Sequence, residues 1–171
     1  RLPTLIPQLY HGSKREARLR TPAVAIALSV LFHPRTGAPK YLTRRTLAEA
    51  FRFNDSASLV LVGVDKDQPI ERYWAVARNA AFFESVASLR PALVTTPNFS
   101  LLADVPRFDN LHAMKRIAIS WHELASRGIP TALHLNARND RDWERWRSFV
   151  NERNEIQIVA FEFQTAGAVR T

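Results

Sequence analysis

The sequence predicts an α/β domain with a parallel sheet and alternating helices, and three observations carry that expectation. Short apolar runs that end in polar residues recur at intervals of about 30 residues. Between them, apolar positions return at helical spacing. The 171 residues are 46% hydrophobic, with ten Phe, four Trp and three Tyr, which supplies one core but not two.

Residues 1–20 read as a basic N-terminal arm broken by Pro3 and Pro7, and residues 21–171 as one domain. The first strand is expected over 23–32, where Val24, Ile26, Leu28 and Val30 alternate with small residues behind Pro22. Turn formers fill 33–39. Thr43 is placed to cap a short helix through Phe51, with Leu47 and Ala50 inward. Residues 58–65, with Leu59-Val60-Leu61-Val62, read as a strand buried on both faces. Ile70, Tyr73, Trp74, Ala77, Ala81 and Val86 then mark one helix running to Leu89. A third strand follows at 92–96. Leu111, Met114, Ile117, Trp121 and Leu124 mark a long helix, with Asp109 to cap it and Gly128 to end it.

Residues 131–136 are the fourth strand. The helix at 140–151 takes Asn139 or Asp140 as its cap. Its Trp143, Trp146 and Val150 share an inward face, and its charges form i,i+4 pairs in solvent. Residues 156–163 are the fifth strand and should be buried. Five strands suit an open doubly wound sheet, or the larger part of a (β/α)8-type barrel.

No apolar run approaches the roughly 20 residues that cross a bilayer, so no membrane role is expected. Cysteine is absent, which excludes disulfides, thiolate catalysis, zinc–thiolate sites and iron–sulfur clusters. A cytoplasmic location fits. The chain opens on Arg rather than Met, as expected of a processed product or part of a longer chain. Its net charge of +8 comes entirely from residues 1–52, where ten Lys/Arg face only Glu16 and Glu49. Lys14, Arg15, Arg18, Arg20, Arg35, Lys40, Arg44 and Arg45 form that concentration. It suits phosphate-backbone contact, or the docking of an acidic protein partner.

Parallel strands bring their C-terminal ends to one edge, where polar working groups gather. That edge carries Asp65, Thr96, Asn98, His134, Asn136 and Glu162. Glu162, between Phe161 and Phe163, reads either as a general acid or base or as a carboxylate paired with Arg138 or Arg170. His134, between Leu133 and Leu135, reads as a sheet histidine or a base. Asp65 opens a charged turn that serves a ligand or caps a helix. His112 and His122 lie ten apart on one helix and point to different faces, so no metal site is expected. With five Gly and no Gly-x-Gly-x-x-Gly, Gly-rich Lys-Ser/Thr or Gly-x-Ser-x-Gly pattern, nucleotide cradles and hydrolase elbows are missing, and no cofactor is indicated.

The segment Thr96-Pro97-Asn98-Phe99-Ser100-Leu101-Leu102-Ala103-Asp104-Val105-Pro106 resembles the Pro-Asp-Phe-Ser-Leu-Tyr-x-Asp-Met-Pro signature of an uncharacterised phage and bacterial family, the domain of unknown function numbered 4417. The similarity extends through Asn110 to Arg116 and Gly128-Ile129-Pro130-Thr131, and covers roughly residues 92–163. Asn98 stands where the family has Asp, Leu102 where it has an aromatic, and the Trp expected near Asn136 is missing. The resemblance implies a site in this segment, with Phe99 and Asp104 in a recurring context, and a link to mobile elements; with Asn98 in place of the Asp, it carries no acid–base or metal role to that position.

The leading expectation is a nucleic-acid-associated protein that holds phosphates through its basic quarter. The alternatives are a small-molecule enzyme for a phosphorylated or sugar substrate, and a structural subunit of a larger assembly. In the enzyme reading Asp65, Asp104, His134 and Glu162 are catalytic, and Thr96, Asn98, Ser100 and Asn136 bind substrate.

Overall fold

The computed structural model describes residues 1–10 and 16–162. Lys14, Arg15, Phe163 and Arg170 lie outside the described residues. Among the described residues six strands form one parallel sheet: β1 (Gln8–Leu9), β2 (Ala23–Ala27), β3 (Ser58–Val62), β4 (Leu93–Thr95), β5 (Thr131–His134) and β6 (Val159–Ala160). Five helices lie between them: α1 (Arg44–Phe51), α2 (Asp67–Arg72), α3 (Ala80–Ser88), α4 (Arg107–Ala125) and α5 (Asp140–Asn151). The α/β parallel class expected from the sequence is the one observed.

The strands lie in the order β1-β2-β3-β4-β5-β6. A doubly wound sheet reverses direction once; this one never does, so that expectation is corrected. Right-handed crossovers in unbroken order put every helix on one face. The core agrees. Val24, Ile26, Leu59, Leu61, Val94 and Leu133 cluster with helix residues such as Leu47, Phe82, Ile117 and Trp146. The alternate strand positions Ala23, Ala25, Val60 and Ala132 are buried outside that cluster, on the opposite face.

Several expected elements are shorter or divided. The run after Pro22 is a strand only to Ala27, then a 3-10 turn over Leu28–Leu31. Gln8–Leu9, read as arm, pairs with β2 at Ala25 and Ile26. The helix expected through Leu89 breaks in the middle. After α2 comes one π-helical turn at Tyr73–Ala77, and Asn79 starts α3 by accepting from the Phe82 amide at 3.0 Å. Thr43 caps α1 as expected, accepting from the Thr46 amide at 3.2 Å. Leu47 is buried as expected, but Ala50 is exposed, and Ala48 and Phe51 take the inward face instead. Pro106, not Asp109, precedes α4; Asp109 sits in its first turn. Gly128, at φ +71°, follows α4 as the expected stop. The last strand is an exposed edge: Ile158, Val159 and Phe161 are all about half exposed.

The tryptophans of α5 divide as well. Trp146 is buried, whereas Trp143 is partly exposed and packs against Phe161 with centroids 5.6 Å apart. Asp142 does not pair in solvent. It is fully buried, bonds the Arg107 guanidinium, and accepts from the Arg138 amide at 3.0 Å. Burial alone would raise its carboxyl, but these hydrogen bonds outweigh that and hold it below the usual range.

Candidate functional site

The site is set by the way β3 and β4 end. Gly63 follows β3 and lies against the backbone leaving β4. A Cβ there would meet Thr96 O at 2.2 Å and Pro97 N at 2.5 Å. Only glycine permits that approach. The Gly63 amide donates to Thr95 Oγ1 at 2.8 Å, and the Asn98 amide donates to Gly63 O at 3.2 Å. Asn98 is thereby turned toward β5 and β6.

The neighbouring Phe99 is buried and held by its surroundings. Trp74 packs edge-on to it at 5.6 Å, and the Arg116 guanidinium lies 4.1 Å from its ring centroid. Arg78 covers Trp74 at 3.6 Å and is tied to Glu123 by two hydrogen bonds of 2.8 and 2.7 Å. Asn110 clamps the rest of the loop, giving Nδ2 to Leu102 O at 2.8 Å and taking the Leu102 amide at 2.9 Å.

On this frame Asn136 Nδ2 donates to both Asn98 Oδ1 at 2.9 Å and Phe99 O at 3.0 Å. Asn98 Nδ2 donates in turn to Glu162 Oε2 at 2.8 Å. The Asn136 carbonyl is fixed by Trp146 Nε1 at 2.9 Å. His134 is 2% exposed, and its Nδ1 is buried without a hydrogen-bond partner. Burial pushes its imidazole down to about 4, against the opposing pull of Glu162, so it is neutral at pH 7. Asn98, His134, Asn136, Phe161 and Glu162 line one pocket of about 280 Å³.

Four of the eight catalytic and substrate-binding candidates therefore converge. The other four serve different ends. Thr96 is fully buried, and its hydroxyl accepts from the His134 amide at 2.9 Å, so it joins β4 to β5. Ser100 donates to Asp67 Oδ1 at 2.5 Å and ties the loop to α2. Asp65 accepts from Ser29 Oγ and from the Lys66 amide at 2.7 Å, beside β3. Asp104 is exposed and lines none of this pocket. Glu162 is half-buried rather than enclosed, and its partner is an amide, not Arg138. Gly63, Asn110 and Trp143 were not among the sequence candidates. Only close backbone approach and loop packing reveal the first two.

The basic residues separate. Arg44 is half-buried, with its guanidinium given to Ala57 O and, at 3.3 Å, to Leu89 O. Leu19 bridges Phe53, which sets Arg18 and Arg20 beside the same N-terminal edge of the sheet. Arg45 is exposed and paired with Glu49 at 3.0 Å. Arg35 and Lys40 line a pocket near Ser29 and Pro69, at the opposite edge.

Among the described residues no group of three His, Asp or Glu is arranged to hold a metal ion, and no helix is long and apolar enough to cross a membrane. Comparison with known proteins returned no matching family model, no matching curated protein and no matching solved structure. The functional reading therefore rests on geometry.

Proposed function

We propose that this chain binds a small, polar, hydroxyl- or amide-bearing molecule at the C-terminal edge of β4, β5 and β6, and moves a proton on it through Glu162. The convergence of Asn98, His134, Asn136 and Glu162 in one pocket carries this reading. Asn98 fixes one Glu162 oxygen, and the second has no protein partner among the described residues, which suits it to a ligand proton. Neutral His134 forms part of the wall of the same pocket. Trp143 and Phe161 supply an exposed aromatic rim against which a ring can pack.

The nucleic-acid reading draws less support from the fold. It asks for one cationic face, and the described basic residues occupy two edges with Arg44 and Arg45 already engaged. The resemblance to the phage and bacterial family remains a proposal based on residues 92–163, and the pocket falls within that stretch.

A thermal-shift panel of neutral sugars, polyols and nucleosides tests the pocket. At least one compound should raise the Tm of the native protein and lose that effect in Glu162→Gln and Asn98→Ala. A rise kept in both variants would contradict the assignment.

A further inference from the structure

Arg35 and Lys40, counted with the basic N-terminal quarter, meet a third cation from another part of the chain. Together with Arg72, from the end of α2, they line a pocket of about 410 Å³. None of the three is in an ion pair among the described residues. Gln68 lines the same pocket and stands four residues before Arg72, so their side chains share one helix face. The acids adjoining these elements in sequence are occupied elsewhere. Asp65 takes the Ser29 hydroxyl, Asp67 takes the Ser100 hydroxyl, Glu71 pairs with Arg116 at 2.7 Å, and none of them lines the pocket.

The loop that carries Arg35 and Lys40 is built in place. The His33 amide donates to Ala38 O at 2.8 Å, the Lys40 amide donates to Leu31 O at 2.8 Å, and Phe32 bridges Pro39. Gly37, at φ +70°, packs so closely on the π-helical turn that a Cβ would lie 2.0 Å from Val76 O. The two cations are therefore presented by an anchored turn rather than a solvated arm. Three unpaired like charges around a concavity repel one another until an anion sits among them.

We propose that this pocket binds a small phosphorylated molecule. Arg35, Lys40 and Arg72 hold the phosphate oxygens, with Gln68 as a neutral donor, and the remainder of the ligand rests on Val30, Pro34 and Pro69. Its volume falls within the roughly 300–1,000 Å³ of small-molecule sites. A duplex asks for a broader cationic surface, about 600–1,000 Å² even for a single module. Arg18, Arg20 and Arg44 cannot extend this patch, because they lie at the other sheet edge. The pocket shares no lining residue with the Glu162 pocket, so it stands apart from the function proposed above.

Calorimetric titration with pyrophosphate at about 50 mM salt tests the site. The native protein should bind, and Arg35→Gln/Lys40→Gln/Arg72→Gln should weaken binding by about tenfold or more. Arg18→Gln/Arg20→Gln/Arg45→Gln removes equal charge and should leave the affinity within about twofold, as should Glu162→Gln. Circular dichroism melts establish that each variant is folded; if the first triple variant is not, Arg72→Gln alone serves, with a weakening of several-fold expected. The proposal is overturned if the native protein does not bind pyrophosphate at millimolar concentration, or if the control triple weakens binding equally. It is also overturned if a short DNA duplex binds through Arg35 and Arg72 and pyrophosphate cannot displace it.

Discussion

His134 places an imidazole almost wholly out of water, and its chemistry follows from that position. Its folded value of about 4 lies below the ordinary 6.5, so the unfolded chain binds the extra proton between those limits. Stability is therefore full above about pH 6.5 and falls as the pH drops toward 4, by an amount on the order of 3 kcal/mol. Urea melts across that range should show the slope, and His134→Gln should flatten it. Asn98 is the second informative residue, because its amide donates to Glu162 where the resembled family carries a carboxylate. Asn98→Asp sets two carboxylates against each other. It should cost about 1–3 kcal/mol at pH 8 and less at pH 5, where the pair can share a proton, as read from the same melts. Their place at or just beyond the C-terminal ends of apolar strands made both residues legible as edge groups. It could not show that Asn98 would be spent on orienting Glu162, since β4 and β6 are not neighbours.

The elements that hold the site do so through a few close contacts. Gly63→Ala drives a Cβ into the Thr96–Pro97 backbone and should destabilise the fold by about 1–3 kcal/mol. It should also displace Asn98, so ligand-induced Tm shifts should vanish in whatever protein remains folded. The α4–α5 contact depends on Asp142. Asp142→Ala removes the acceptor of the Arg107 guanidinium and the Arg138 amide, and should lower stability by about 2 kcal/mol at pH 7. Because that carboxyl is held below its ordinary 3.8, its contribution is complete above that value. It is lost only as the pH falls further, a window separate from that of His134. Helix periodicity correctly marked α1, α4 and α5. It missed the break between α2 and α3, because Trp74, Ala77 and Ala81 keep apolar spacing across the π-helical turn and the Asn79 cap. It also placed Trp143 in the core, where spacing alone cannot tell a buried face from an edge that packs on Phe161.

Across the whole molecule, strand order was the quantity hidden from the sequence. Alternation predicts a parallel sheet, and a parallel sheet has one C-terminal edge, but which ends are neighbours depends on order. The unbroken β1-to-β6 order sets β4, β5 and β6 side by side, which is why Asn98, His134, Asn136 and Glu162 meet. Asp65, three residues past β3, stays outside the group. Charge counting has a similar limit: it gathers Arg18, Arg35, Arg44 and Arg45 into one quarter, yet loop paths carry them to opposite edges and local partners engage two of them. If the four converging side chains form one working pocket, a bound ligand must be sensed by all of them. The direct measurement is a nuclear magnetic resonance screen of small polar fragments that follows the Asn side-chain amides and the His134 imidazole. Binders should shift Asn98, Asn136 and His134 together, and Glu162→Gln should remove the response. Fragments that bind while leaving these three signals still would contradict a single working pocket.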